Sequence, residues 1–412
     1  MKIALVHDWL TRLGGAERVL ISLHKIFPEA PIYALFYDKK FIFQYLPEAK
    51  VISSFLQKIP NIKKIHPWFK ILMPVAAESL DLTGFDMIIS SSHEVAHGVL
   101  TKQHAKHICF YHSPSRILWD RTHEYLEDFK KRGRGGFKLS LIKLGQHFLR
   151  LWDRASGQRP DVAVANSKHV AERIKKYYGR EARVIYPPVE INPKHEIRNP
   201  KQIQNPKFKT VSNFDIRISN LQSKNNYFLI VCQLYPHKNI DLAIEAFKNL
   251  PELNLVIVGD GPEFKNLKSK TQKSKLKNVK LLGFVPDEEL PYYYQNCLAY
   301  LICNEEDFGI SPIEAMFFGK PVLAYKKGGA AETVLEGVTG EFFPIRGGDT
   351  LRTLAASNGV NDLVKAIQNI NQKIKNNYYN STIIKKHSEK FGFERFKKEM
   401  LDLVENLRYT KR

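Results

Sequence analysis

Cysteine is scarce in this chain of 412 residues: four in all, Cys109, Cys232, Cys297 and Cys303, with no paired spacing. That excludes a disulfide-stapled secreted scaffold. Three of the four lie in apolar strand-like runs, which predicts reduced, buried thiols in a cytoplasmic protein. No apolar run approaches the roughly 18 residues of a membrane span. Met1–His7 enters a strand directly and has no small-residue cleavage site, so no signal peptide is expected. The G-x-G-x-x-G dinucleotide fingerprint is missing, which argues against a dehydrogenase. No Asp-x-Asp pair exists, so no carboxylate-held metal is expected on a diphosphate. None of the familiar nucleic-acid-binding patterns is present, and no nucleic-acid partner is expected.

Acidic residues are also few. Sixty-three Lys and Arg stand against 42 Asp and Glu, a formal charge of +21. Such a surplus suits phosphorylated substrates or an anionic membrane surface. Hydrophobic residues at 43% and charged residues at 25% are ordinary for a soluble protein long enough for two cores. Short apolar runs alternate with helical patterns in two series. The first is Ile3–His7, Ile32–Phe36, Met87–Ser91, Ile108–Tyr111, Val162–Ala165 and Val184–Tyr186. The second is Phe228–Leu234, Leu253–Val258, Val279–Leu282, Leu298–Ile302 and Val322–Tyr325. Two such series predict two doubly wound parallel α/β sheets. Between them, residues 192–226 are rich in Asn, Lys, Ser, Gln and Pro and read as a linker with a flexible insertion.

The most informative segment is Asn304–Met316. Glu306 and Glu314 stand eight positions apart across Phe308-Gly309-Ile310, between a strand and an apolar helix pattern. Amides at a helix start favour anions, and a glycine there allows close backbone approach. Two carboxylates flanking that turn suit the hydroxyls of one ligand. Amides for phosphate and carboxylates for hydroxyls together describe a sugar nucleotide. Gly319–Tyr325 and Gly328–Val334 then read as the next strand and a glycine-started helix.

These blocks closely resemble the family 4 glycosyltransferases, whose signature is a Glu, seven residues, then Glu in an E-x-F-G-I context. The resemblance implies a GT-B fold: two Rossmann-like domains facing a central cleft. It gives an N-terminal acceptor-side domain (1–191), the linker (192–226), a C-terminal nucleotide-sugar domain (227–390) and a helix crossing back to the first domain (391–412). It implies that Glu306 is the catalytic carboxylate on the transferred sugar, that Glu314 holds the ribose, and that Phe308, Gly309 and Ile310 place sugar and phosphate through their backbone. Lys238, in Tyr235-Pro236-His237-Lys238-Asn239 after a strand, is suited to neutralise a diphosphate leaving group. Family members commonly carry Arg five residues earlier, where this chain has Gln233. Val285, in Gly283-Phe284-Val285-Pro286, sits where the family holds the base through backbone groups.

On the acceptor side, Gly14 and Gly15 form a Gly-Gly pair at a helix start, an anion cradle. By resemblance, Gly15 approaches the donor phosphate and Gly14 the acceptor. Tyr111–Asp120 is similar to the Y-x-H-x-P-x-R-x-x-W-D pattern of bacterial O-antigen mannosyltransferases, one residue shorter before the His. This makes His112 a catalytic candidate touching the transferred sugar and Arg116 an acceptor-binding candidate. Asn166, Arg173 and Tyr186-Pro187-Pro188 fit the same subgroup.

His93-Glu94-Val95-Ala96-His97 matches the H-E-x-x-H of zinc peptidases, but it is squeezed between two strands, and the peptidase reading is disfavoured. Residues 130–151 combine Lys130-Lys131-Arg132-Gly133-Arg134 with an apolar periodicity through Leu151. Such a segment suits an anionic membrane surface, or a helix packed on its own domain. The reading is a retaining hexosyltransferase moving mannose from GDP-mannose onto a lipid-linked or polysaccharide acceptor. It is expected to need no metal cofactor and to work in the cytoplasm, peripheral to the inner membrane. A UDP-hexose donor and a non-catalytic sugar-nucleotide-binding or membrane-binding homologue stay open as alternatives.

Overall fold

In the computed structural model, residues 1–131, 136–190, 226–344 and 357–409 are described. The linker reading for 192–226 and the basic residues Arg132 and Arg134 fall outside the described residues, apart from position 226. The chain divides into two compact units. The first is Met1–Pro188 together with the segment from Phe393 onward, and the second is Val189–Gly392.

The first unit is built on seven strands: β1 (Ile3–Leu10), β2 (Ile32–Tyr37), β3 (Val51–Ser53), β4 (Met87–Ser92), β5 (Lys106–Tyr111), β6 (Val162–Ala165) and β7 (Arg183–Val184). Their order is β3-β2-β1-β4-β5-β6-β7, every pairing parallel. Helices cover both faces of such a sheet, so its central strands are near-continuous apolar runs. Leu5, Ile32, Ile89, Ile108 and Val164 build the core on one face, with Phe396, Met400 and Leu403 of the helix Phe393–Tyr409. Val6, Leu35, Ile88 and Val99 build the other.

The second unit holds β8 (Tyr227–Val231), β9 (Asn254–Val258), β10 (Val279–Gly283), β11 (Ala299–Ile302), β12 (Val322–Tyr325) and β13 (Gly340–Phe343). Their order is β10-β9-β8-β11-β12-β13, again parallel. Phe228, Leu255, Leu301 and Leu323 point to one core and Leu229, Val256, Tyr300 and Val322 to the other, the two-residue alternation of a strand buried on both faces.

Several expectations shift. The expected strand Phe228–Leu234 stops at Val231, and the expected strand Val184–Tyr186 is only Arg183–Val184, because Pro187 and Pro188 follow without ladder donors. β3 and β13 were not anticipated; both are edge strands of three and four residues, too short to show a period of their own.

The helix Phe137–Ser156 packs through a mixed face that includes half-buried Leu139, Ile142, Leu149 and Trp152, and leaves a second apolar stripe exposed. Gln146, Asp153 and Ser156 are buried against the unit, while Phe137, Leu141, Leu144, Phe148 and Leu151 are exposed.

Candidate functional site

In open parallel sheets, ligands bind beyond the carboxyl ends of the strands, where strand order reverses. In the second unit that point lies between β8 and β11. Lys238 follows β8 in the short turn Pro236–Lys238, and Glu306 follows β11. Their side chains meet across the reversal, Lys238 Nζ donating to Glu306 Oε1. Both are mostly shielded, at 15% and 23% side-chain exposure, so the pair is stronger than a surface salt bridge. Asn239, left-handed at φ 53°, caps the turn and donates from Nδ2 to Cys303 O at 3.1 Å, tying the β8 loop to the β11 loop.

The helix Ile310–Phe317 begins at Gly309, at φ 88°, a conformation that disfavours a side chain. Glu314 lies within that helix, buried, and accepts a hydrogen bond from Tyr294 Oη at 2.6 Å. Phe308 is buried edge-on to Phe391, with centroids 5.9 Å apart, so that main chain rather than ring is what it offers a ligand. A second glycine pair supports this turn from behind. Gly329 N donates to Glu306 O at 2.8 Å. A Cβ on Gly328, at φ +67°, would lie 2.2 Å from Glu306 O, and one on Gly329 would lie 2.3 Å from Phe308 Cα. The Gly328-Gly329 step is therefore what lets the Glu306–Gly309 backbone sit where it does.

Val285 is two strands away, on the loop after the edge strand β10, with its side chain packed among Tyr293 and Ile302. Any contact it makes with a ligand is through main chain. Gln233 is half-buried after β8, and its carbonyl accepts from Tyr235 N at 2.9 Å.

In the first unit the strand order reverses between β1 and β4, and a polar cluster that sequence reasoning did not assemble occupies that point. The Asp8 carboxylate, fully buried, accepts the backbone N–H groups of His93, Glu94, Val95 and Ala96 at 2.7, 3.1, 2.7 and 2.8 Å. Asp8 Oδ2 also lies 2.9 Å from His93 Nδ1. Burial by itself would raise the Asp8 pKa, but His93, His7 and the amides hold it far below the usual carboxylate range. For His93, burial would depress the pKa. Asp8, with Glu17 and Glu94, more than offsets this and pushes it up to about 9. His93 is thus an imidazolium at neutral pH. Its ring meets the Trp9 edge at 4.7 Å.

His112, the expected catalytic histidine, joins the same cluster. Its Nε2 is 2.8 Å from Ser91 Oγ, which is 3.2 Å from His7 Nδ1, and His7 Nε2 is 3.7 Å from Glu17 Oε1. One hydroxyl proton serves two imidazoles, so at least one of the rings must donate to Ser91. Gly14 caps the helix Gly15–Ile26, and its missing side chain makes room for Glu17: a Cβ there would lie 2.8 Å from Glu17 Oε2. The sequence singles out His112 and His93 separately, but nothing in it joins them to His7 and Asp8, two polar residues inside an otherwise apolar strand.

The loop that carries His112 and Arg116 is pinned from below. Arg173, buried, bonds Ser113 Oγ, Pro114 O and Asp120 Oδ2, and Tyr177 Oη donates to Asp120 Oδ1. Asn166 Nδ2 donates to His112 O at 2.9 Å. Trp119 Nε1 and Tyr178 Oη both donate to Asp153 Oδ2, at 2.7 and 3.0 Å. Arg116 itself is half-buried, with its carbonyl accepting from Arg121 N at 2.7 Å.

The H-E-x-x-H segment is not an α-helix. Residues 93–95 are a bend and Ala96–Gly98 a single 3₁₀ turn. His93 is held by Asp8, while His97 is buried between Ser92 Oγ at 3.2 Å and Ser156 Oγ at 3.0 Å. The two rings share no helix face, which removes the geometry of a zinc peptidase. Among the described residues, no group of three or more His, Cys, Asp or Glu side chains could hold a metal ion.

Two parallel α/β units, each with its polar groups at the reversal point of the sheet, define a glycosyltransferase of the GT-B architecture. The family models agree: residues 13–192 match Glycosyltransferase Family 4, and residues 211–349 match Glycosyl transferases group 1. The chain belongs to the family 4 glycosyltransferases. Among curated relatives, it is 26% identical over 333 residues to the alpha-1,3/1,6-mannosyltransferase ALG2 of Dictyostelium discoideum, covering 73% of this chain and 70% of that one. It is 29% identical over 174 residues to an uncharacterized glycosyltransferase of Methanocaldococcus jannaschii, spanning 41% of this chain and only 45% of that relative. Among solved structures, Anabaena HepE in complex with UDP superimposes with a TM-score of 0.66 at 18% identity, over 98% of this chain and 100% of that one. WaaG, a glycosyltransferase involved in lipopolysaccharide biosynthesis, superimposes with a TM-score of 0.64 at 14% identity, over 98% and 99%.

Proposed function

We propose that this glycosyltransferase moves mannose from GDP-mannose, with retention of configuration, onto a lipid-linked or polysaccharide acceptor. The observation that carries a sugar-nucleotide donor is the Lys238–Glu306 pair at the strand reversal, one turn from Glu314. In this reading Lys238 exchanges Glu306 for the diphosphate, and Glu306 is released to the sugar hydroxyls. Glu314 holds the ribose, the Phe308–Ile310 backbone orients phosphate and sugar, and the main chain at Val285 meets the base. Gly14 and Arg116 serve the acceptor, Gly15 approaches the donor phosphate, and His112 touches the transferred sugar. The bond from the anomeric carbon to the diphosphate oxygen breaks, and the acceptor hydroxyl oxygen bonds to the same face. The departing phosphate oxygen takes the hydroxyl proton. Mannose is favoured by the ALG2 relatives and by the Tyr111–Asp120 pattern.

A UDP-hexose donor is the second reading, supported by the structural neighbour HepE, which was solved with UDP-glucose. Donor hydrolysis and binding in excess chelator, comparing GDP-mannose with UDP-glucose, UDP-galactose and UDP-N-acetylglucosamine, separates the two. Silence with every donor would instead point to Gln233 as a functional loss, leaving a sugar-nucleotide-binding homologue. Glu306→Ala should abolish transfer while leaving the fold intact, at some cost in stability because Lys238 loses its partner. Transfer at an undiminished rate would sink the assignment.

A further inference from the structure

The helix Phe137–Ser156 turns an apolar stripe outward. At 100° per residue, positions 137, 141, 144, 148 and 151 fall within an arc of about 80°. All five are between 51% and 77% exposed. The opposite face, carrying Gln146, Asp153 and Ser156, is the one buried in the first unit, where Asp153 accepts from Trp119 and Tyr178. The same side half-buries Leu139, Ile142 and Leu149, and Trp152 packs against the core of the unit, so the helix is already anchored without the outer Phe/Leu stripe. Ile71 extends the patch: it lies beside Gly145, whose added Cβ would be 3.9 Å from Ile71 Cδ1. Leu72 and Val75 follow, also exposed. Five large side chains more than half exposed present roughly 500 Å² of apolar surface, at the upper range of the largest patch on a typical monomer.

Charge decides what covers the patch. Along this helix Lys138, Lys143 and Arg154 are exposed, Arg150 is half-buried and donates to Leu118 O at 2.8 Å, His147 is exposed, and the single acid, Asp153, is buried and faces away. Cations flanking an outward apolar stripe, with the only carboxylate withdrawn, match the interface of an anionic bilayer. A second copy of this chain, itself at +21, would bring the same cations together. No described helix is long and apolar enough to cross a membrane, so the element lies along a surface. We propose that the outer face of Phe137–Ser156, with Ile71, Leu72 and Val75, docks this protein on an anionic lipid bilayer. This deepens the lipid-linked arm of the proposed function, because it brings the acceptor-side unit to the surface where such an acceptor resides.

The test is co-flotation of the full chain with vesicles of phosphatidylcholine alone or with 30% phosphatidylglycerol. Wild type should bind the anionic vesicles and lose most of that binding in 0.5 M salt. Leu144→Ser with Phe148→Ser removes two exposed side chains. It should lower the partition coefficient about 100-fold, at roughly tenfold for each incompletely inserted side chain. Lys138→Ala with Lys143→Ala should lower binding to anionic vesicles and leave the weak neutral-vesicle signal unchanged. Donor hydrolysis in solution should survive in both variants, so its failure would speak against the transferase reading and not against the surface. Undiminished vesicle binding by Leu144→Ser/Phe148→Ser would overturn the proposal. So would a concentration-dependent dimer, without vesicle binding, that the same variant abolishes, since it would assign the face to a second copy.

Discussion

Replacing His93 by Gln tests the electrostatics of the Asp8–His93 cluster through a quantity that packing alone does not move. His93 is charged because Asp8, fully buried and 2.9 Å away, holds its proton against the pull of burial, up to a pKa of about 9. In the unfolded chain a histidine titrates near 6.5. A group whose folded pKa is raised contributes stability that is complete below the unfolded value and is lost as pH rises through the folded one. The window is therefore pH 6.5 to 9. The difference of about 2.5 pK units corresponds to about 3 kcal/mol as a ceiling. The His93 side chain is 27% exposed, so solvent screening reduces this to about 2 kcal/mol. In a unit of this size that is about 4–8 °C in melting temperature. Gln can still reach Asp8 with an amide N–H, and the four backbone donors to Asp8 remain, so the variant folds. Melting curves of parent and variant from pH 6 to 10 should show a gap near pH 6.5 that closes by about pH 9.5. Parallel curves across that range would refute the reasoning and make His93 an ordinary packed histidine.

The donor turn is tested by Gly328→Ala. Its Cβ would lie 2.2 Å from Glu306 O, forcing the turn to move. Misplacement on that scale should weaken donor binding or turnover about 100-fold. Gly337→Ala is the control, since it has the same left-handed strain, at φ +75°, but its nearest atom is Tyr378 Oη at 3.5 Å. It should cost stability without a comparable loss of donor affinity, and equal losses in both variants would remove the argument. Burial raises the pKa of Asp153 to about 7 even though Trp119 and Tyr178 donate to it. Its contribution to stability thus falls as pH rises from the unfolded value near 3.9 toward 7. Asp153→Asn should gain about 2–3 kcal/mol relative to the parent between pH 4.5 and pH 8, read from denaturation midpoints. A pH-independent difference would show that Asp153 is ionised throughout.

How much was legible in advance depends on how local each feature is. The Asn304–Met316 segment is contiguous, and its strand, glycine, carboxylates and helix follow one another, so its strand–turn–helix form could be read directly. Lys238 could be placed in the turn between a strand and a helix, although the strand stops at Val231 and the turn is longer than expected. The alternation of apolar strands and helical patterns was enough for two parallel sheets, because a parallel strand buried on both faces must be apolar at nearly every position. Short edge strands such as β3 and β13 escaped, since three or four residues are too few to show a period.

The Asp8 cluster of the first unit belongs to the tertiary structure. His7, Asp8, Glu17, Ser91, His93 and His112 come from three strand ends and one helix, separated by up to about a hundred residues, and only the order β1-β4-β5 makes them neighbours. The same holds for H-E-x-x-H. Its spacing implies a shared helix face, and the Asp8 carboxylate, 85 residues away in the chain, instead gathers its amides into a turn. Periodicity in Phe137–Ser156 established that one side is apolar. Which side faces the protein follows from contacts with distant segments: Asp153 receives Trp119 and Tyr178, Trp152 packs against the core and donates to Glu78, and the Phe/Leu stripe is left outside. Sequence specifies what each face is made of, whereas contacts between distant segments select which face is buried.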